Sequence, residues 1–312
     1  MEYLKPSLSV NEQITQLKQR GLLIKDEDLA FQVLTNISYY RLAGYWWPLQ
    51  ADKATHTFKP NSKFEDVLAI YDFDRELRTL LFSVIERIEI GFRTRLIYHL
   101  SHELSPWWFE DPDNFKNNYE HQETLKSIDR ELNKSKEVFI QEHYLKYQSD
   151  THRPPAWKTL EIASFGTNSK LYGNLKPTIK SKDTIARELG TINHTFLPSW
   201  FQSIAQIRNI CAHHGRLWNK NLPGAPKLLP KPPFPWLQDV PKSAEFPKLY
   251  IHVCCMKYLL NIVHPENTFS FDLNMLFERY PNIDLKALGF KAEWNKELLW
   301  FDRSTFNSSC HK

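Results

Sequence analysis

Arg208, Asn209, His213 and His214 stand within seven residues of one another, in the segment Leu197-Pro198-Ser199-Trp200-Phe201-Gln202-Ser203-Ile204-Ala205-Gln206-Ile207-Arg208-Asn209-Ile210-Cys211-Ala212-His213-His214-Gly215-Arg216. These side-chain types have a joint use on RNA. Cutting the strand without a metal requires a proton to leave the 2′-hydroxyl or reach the departing 5′-oxygen, and extra charge on the phosphate must be stabilised. An imidazole with an unperturbed pKa of about 6.5 suits the proton. A planar guanidinium fork suits phosphate oxygens.

Within this segment Trp200, Ile204, Ile207 and Cys211 recur at spacings of four, three and four, as the buried face of a helix requires. Asn209 and His213 share another face, where the amide can hydrogen-bond the imidazole and fix its tautomer. Ser199 is placed to cap the helix and Gly215 to end it. An Arg followed five to seven residues later by His is not specific. It recurs at Arg93…His99, Arg95…His102 and Arg187…His194, but none of these has Asn after the Arg or a His-His pair. Five residues turn a straight helix by about 140°, so Arg208 and His213 would point apart. Either the helix is distorted near His213, or two copies build the site across a two-fold axis. The sequence reading favours a homodimer. A purely structural role is the alternative: Arg208 would pair with Glu86 or Glu89, and His213 or His214 would serve the helix dipole.

The elements that must position these residues are helical. Residues 9–20 predict a helix closed by Gly21, and Asp26 or Asp28 caps the next, through Ile37. The aromatic run Tyr39–Trp47 ends at Pro48. The strongest helix covers about 64–102, with Phe73, Leu77, Leu80, Leu81, Val84, Ile88, Phe92 and Leu96 along one face. Glu86, Glu89 and Arg93 form a polar stripe on it, either a surface ion-pair face or the support that orients Arg208. Residues 119–148 read as one charged surface helix, broken by Pro154-Pro155. Shorter helices follow near 157–161, 168–176 and 181–190, with a turn at Ser164-Phe165-Gly166. The proline-dense stretch 222–247 predicts an extended surface loop. A helix at 248–263 and two short ones near 271–290 complete an all-α chain with little or no sheet. The tail beyond Arg303 reads as disordered.

Composition narrows the class. The 312 residues are 42% hydrophobic, 24% charged and 14% aromatic, which is globular. The net charge of +4 is too small to argue for or against a nucleic-acid partner. No apolar run is long enough to span a membrane, and the N-terminus lacks a signal-peptide pattern, so a cytoplasmic protein is expected. Cys211, Cys254, Cys255 and Cys310 form no paired CxxC units, so neither a zinc site nor a disulfide framework is expected. No cofactor or metal is expected.

The run Arg208-Asn209-Ile210-Cys211-Ala212-His213-His214, followed by Gly215-Arg216-Leu217-Trp218-Asn219, resembles the signature of the Abi family of bacterial abortive-infection proteins. Other blocks resemble the family in order: Tyr39-Tyr40-Arg41-Leu42 with Gly44-Tyr45-Trp46; Tyr71–Arg78 through Ile85–Glu89 and Arg93; Pro155-Ala156-Trp157, Glu161, Ser164-Phe165-Gly166 and Leu171-Tyr172; and Leu288-Gly289-Phe290…Trp294…Trp300, with Lys291 where the family often has Pro. The resemblance implies a HEPN-type helical bundle. In outline it is a single unit over 1–312, with a core of about 64–265, an N-terminal helical region 1–50 and a C-terminal helical extension 266–303. It implies a dimeric, metal-independent ribonuclease with a toxin-like role in phage defence. Arg208, Asn209 and His213 would be the site, with His214 also fitting the spacing. A small regulatory RNA is implied as a further partner.

The residues themselves leave two rivals: a non-catalytic RNA-binding or regulatory protein, and a protein-interaction module, on the same scaffold. Arg41 among its aromatics reads as structural. Lys220, Lys227 and Lys231 could touch an RNA backbone, although a plain surface loop is the simpler reading. Tyr39, Tyr40, Tyr45, Trp46 and Trp47 could stack bases, although core packing is the simpler role.

Overall fold

A computed structural model describes residues 2, 6–242, 245 and 247–301. Among these residues there are twelve α-helices and no sheet strand, only isolated backbone bridges. The fold is all-α, as the spacing of apolar residues predicts.

The N-terminal helices are short and individually capped. α1 (Val10–Gln19) starts at Ser9 with a reciprocal capping box to Glu12, and α2 (Glu27–Ile37) starts at Asp26. Gly21 takes a positive φ of 91° just past α1, the role expected of it. α3 (Tyr39–Trp46) follows, buries Leu42, Tyr45 and Trp46, and leads into the long connection before α4.

α4 (Phe64–Glu103) is 40 residues long and is the axis of the molecule. At 1.5 Å per residue it spans about 60 Å. Phe73, Leu77, Leu81, Val84, Ile88, Phe92, Leu96 and Leu100 are buried along it. Each such side chain contributes about 1.5–3 kcal/mol of transfer free energy. Leu80, counted with this face in the sequence, is only partly buried.

The expected single helix over 119–148 is two. α5 (Asn118–Lys134) stops at Ser135 and α6 (Val138–Lys146) begins after a short break. Ser135 adopts extended backbone and its hydroxyl accepts the Glu137 amide, a local side-chain bond that competes with the helix. α7 (Ala156–Ile162), α8 (Phe165–Asn174) and α9 (Lys180–Glu188) follow. Ser164 is not in a free turn; its hydroxyl caps α8 by accepting the Thr167 amide.

α10 (Leu197–Ala212) packs on α4 and α8. Phe201 reaches between them, with its ring centroid 4.2 Å from Phe92 and 6.0 Å from Tyr172. α11 (Leu249–Val263) is buried from Leu249 to Leu260 on every face, so its apolar residues show no amphipathic period. α12 (Phe269–Arg279) also packs on α4, and 3₁₀ turns at Leu285–Leu288, Trp294–Lys296 and Leu298–Trp300 close the described chain. The second of the two short helices expected near 271–290 is therefore a single 3₁₀ turn.

The proline-rich stretch is extended but not merely a surface loop. Leu222, Leu229, Trp236 and Leu237 are buried. Trp236 stacks on Trp200 of α10 at 5.7 Å, and the Trp200 indole N–H donates to the Lys227 carbonyl. Prolines exclude helix there, but they do not prevent packing. The tail beyond Arg303 lies outside the described residues. No described helix is long and apolar enough to cross a membrane.

Candidate functional site

Four carboxylate-facing donors define the foundation of the site. The Asp74 carboxylate is fully buried. It accepts the Tyr45 hydroxyl at 2.7 Å, the Arg78 guanidinium, and the backbone amides of Leu217 (3.2 Å) and Trp218 (2.7 Å). Burial pushes the Asp74 carboxyl above its ordinary range, while these four donors favour the ionised form and pull the other way. Through this one side chain, α3, α4 and the strand of chain after α10 are tied together. Sequence reading missed it. The signal was present: Asp74 and Arg78 are four apart and both fall among the buried positions of α4, where an ionised pair has to be structural or functional.

Above this foundation α10 ends abruptly. Its last helical residue is Ala212, and His213 is the C-cap, with φ −95° and ψ 14°. His214 takes the left-handed conformation at φ 55°. The His214 amide donates to Cys211 O at 3.1 Å and the Gly215 amide to Ile210 O at 2.7 Å. This is a Schellman closure with His214, not Gly215, in the left-handed position. The helix ends where expected, but the residue that carries the unusual backbone is a histidine. Ser199 likewise does not cap the start, since the first turn holds Pro198 and Phe196 is the N-cap. The Ser199 hydroxyl instead donates to Phe196 O and accepts the Lys227 amide.

The helix end does not remove the geometric objection. The His213 amide still donates to Asn209 O at 3.0 Å, a helical bond, and the left-handed turn begins only at His214, so His213 stays about 140° round α10 from Arg208. His213 and His214 are both exposed. Arg41 reaches from α3 and donates from Nη1 to the His214 carbonyl at 2.7 Å. Arg216 lies over Gly44, where a Cβ would come within 3.1 Å of its Nε, and donates to the Trp218 carbonyl. The expected Asn209–His213 side-chain hydrogen bond is not present among the described residues; Asn209 accepts the His213 amide through its backbone carbonyl instead.

Arg208 is partly buried, and its guanidinium makes no hydrogen bond or ion pair among the described residues. It lies within electrostatic reach of Glu89 on α4. Burial raises the Glu89 pKa, opposed by Arg93 and then by Arg208, while Glu86 adds to the rise. Arg93 is bound: its guanidinium donates to Glu89 at 2.7 Å and to Glu161 of α7 at 3.2 Å. Glu86 is exposed. The structure thus gathers Glu89, Arg93 and Arg208, with Arg93 and Glu89 as a pair and the Arg208 fork unfilled.

The histidines of the other Arg…His spacings are engaged. Arg95 and His99 both meet Glu188, at 3.4 and 2.9 Å. His194 meets Asp183 at 2.8 Å. His102 Nδ1 lies 2.7 Å from the Tyr98 carbonyl. Among the described residues, the end of α10 carries the exposed imidazoles of His213 and His214, with Arg41 and Arg216 at the same turn and the unpaired Arg208 further back on the helix. Such a group suits an anionic ligand, and a mobile proton is available from either imidazole. Among the described residues no three His, Cys, Asp or Glu side chains converge as a metal site. Of the aromatics before Pro48, Tyr45 and Trp46 are buried, Tyr39 is partly so, and Tyr40 and Trp47 are exposed. Lys227 and Lys231 are exposed and Lys220 is partly buried.

Comparison with curated proteins and with solved structures returns no match. The family comparison does. It matches the chain to Abi-like proteins over residues 32–219, from α2 through the Trp218-Asn219 pair beyond α10. The matched span begins shortly before Tyr45 and ends just after the amides that Asp74 holds, so it encloses the whole braced helix end. The C-terminal block Leu288…Trp300 lies outside it. With well over half of its length matched, the chain belongs to the Abi-like protein family.

Proposed function

We propose that this protein is an abortive-infection effector that acts in the cytosol and cleaves RNA without a metal. His213 moves the proton as general acid or base, with His214 beside it as the alternative. Arg208 holds the scissile phosphate and Asn209 orients the group. Glu89 and Arg93 position Arg208 from α4, with Glu86 at their edge. The 2′-hydroxyl is the nucleophile, so the products carry a 2′,3′-cyclic phosphate and a 5′-hydroxyl. The working unit is a homodimer, and a small structured RNA restrains it.

The observation that carries this reading is the Arg208 guanidinium, unpaired among the described residues and within electrostatic reach of Glu89, on the same helix whose braced end carries the exposed His213 and His214. Among the described residues, the histidines of the other Arg…His spacings are held by carboxylates or backbone: His99 by Glu188, His102 by the Tyr98 carbonyl and His194 by Asp183. The reading is tested by incubating total RNA with purified protein in EDTA, wild type beside His213→Ala, His214→Ala and Arg208→Ala, each checked for folding by circular dichroism. Cleavage by wild type, with loss in Arg208→Ala and in one histidine variant, supports it. An inert wild type freed of co-purified RNA refutes it and favours the binding-module reading. Light scattering on the same samples reads the oligomeric state.

A further inference from the structure

The polar strip of α4 that carries Glu89 and Arg93 runs on into an open cleft of about 410 Å³ between α4 and α7. Ile97, Tyr98, Ser101, His102, Trp157 and Glu161 line it. Its size falls in the range of small-ligand sites. Two large rings, Tyr98 and Trp157, are 58% and 49% exposed there. The Tyr98 ring is not loose, because the His99 and His102 rings brace it at 5.1 and 4.4 Å. A carbonyl only accepts, so His102 Nδ1 donates to Tyr98 O and leaves Nε2 as a free acceptor. Glu161 gives one carboxylate oxygen, Oε2, to Arg93, while Oε1 has no partner among the described residues. The cleft therefore offers flat apolar walls and a rim of acceptors.

We propose that this cleft is a nucleobase subsite that takes a purine, and guanine in preference. The proposal rests on the RNA-cleaving reading only in taking RNA as the polymer that supplies the base. A purine has the larger face to stack on an aromatic wall. Guanine turns two adjacent donors, N1–H and the exocyclic amine, toward an acceptor-only carboxylate. Adenine turns one donor and one acceptor, and the acceptor faces the carboxylate unfavourably. Arg93 joins the cleft to the cleavage site, since its guanidinium spans Glu161 and Glu89, and Glu89 feels Arg208. Tyr98 lies nine residues along α4 from Glu89, about 13 Å. A base held in the cleft would thus set the register of the strand on Arg208.

The test is binding of GMP, AMP and CMP to the full chain by calorimetry at low salt, beside the cleavage pattern on RNA. GMP should bind more tightly than AMP, and CMP least. Trp157→Ala and Tyr98→Ala should each weaken GMP about tenfold or more. Glu161→Gln should erase the preference for GMP over AMP while purine binding persists. His213→Ala should keep GMP binding, so the two readings fail separately. If GMP binds and RNA is never cut, the subsite stands and the nuclease reading falls. The proposal is overturned if no mononucleotide binds and folded Tyr98→Ala and Trp157→Ala cut RNA at unchanged positions. It is equally overturned if Trp157→Ala turns a dimer into a monomer without any nucleotide binding, which makes the cleft a contact between copies of the chain.

Discussion

The Arg41 guanidinium donates to the carbonyl of His214 across 173 residues of sequence. That carbonyl sits at the turn that ends α10, where no helical donor is left for it. The bond fixes the peptide that follows the left-handed residue, and with it the exit of the chain toward Gly215 and Arg216. Arg41 is therefore structural, as its aromatic setting suggests, but its object is the candidate site itself.

His214 in the left-handed region leads to a stability and activity split. A side chain there costs roughly 1–2 kcal/mol, which glycine avoids. His214→Gly should raise the unfolding free energy, read from urea titration, by about 1 kcal/mol. RNA cleavage by the same variant then assigns the proton carrier. Retained activity leaves His213 in that role, and lost activity in a more stable protein gives it to His214. A fall in stability would show that the His214 side chain has a partner in solution.

Asp74 is expected to be among the least replaceable residues in the chain. Asp74→Asn strips Arg78 of its counter-charge inside the core and turns an amide N–H₂ or a weaker acceptor toward the Leu217 and Trp218 amides. The cost should be about 3–5 kcal/mol. Tyr45→Phe removes one donor and should cost about 1.5–3 kcal/mol. The double variant should cost clearly less than the sum, because the two residues share one hydrogen bond. Additive losses in denaturant titrations would break the link.

The thiols are expected to be silent. Cys211 lies in the motif helix but points into the core, and burial pushes its pKa up to about 12. Cys254 and Cys255 are also raised by burial. Iodoacetamide at pH 8 should leave all three unmodified in the native protein and label them once it is unfolded, as read by peptide mass. Native labelling of Cys211 would place its thiol outside the core.

Lys182 should make stability depend on pH. Burial lowers its pKa to about 8, with Lys116 adding to the fall and Asp183 opposing it. Its ammonium donates to the carbonyls of Gly173 and Leu175. Its folded pKa is below its unfolded value, so between about 8 and 10.5 the unfolded chain holds more protons. Its contribution to stability therefore rises with pH across that window. The buried tyrosines and cysteines, whose pKa values are raised, push the other way above pH 9–10 or so. The measurement is thus a difference: the stability of wild type over Lys182→Met should grow as pH goes from 8 to 10. A constant difference would show that Lys182 is not desolvated.

Much of the fold is legible in the sequence because most helices here are amphipathic. The three-and-four spacing from Phe73 to Leu96 reports α4 directly, and Asp26 and Gly21 announce their caps. The failures have physical causes. Ser135 splits α5 from α6 through a bond to a near amide, which charge alternation does not reveal. Trp236 is buried because it meets Trp200, a contact that no local pattern encodes. At the site, the chemistry-bearing types are visible in Arg208, Asn209 and His213. Their arrangement is not, because it depends on Asp74 and Arg41, which lie far away in sequence and whose partners at the helix end are main-chain atoms.

That distance has a consequence during synthesis. Trp218 follows Asp74 by 144 residues, roughly 7–30 s of translation at 5–20 residues per second. Throughout that interval the longest helix of the molecule waits on the ribosome with the carboxylate that ties the helix end still short of its two amide donors. A chain interrupted before Leu217 would carry Arg208 and both histidines yet have nothing to hold them in place. The order of the elements thus delays the assembly of the candidate site until more than two thirds of the 312 residues have been made.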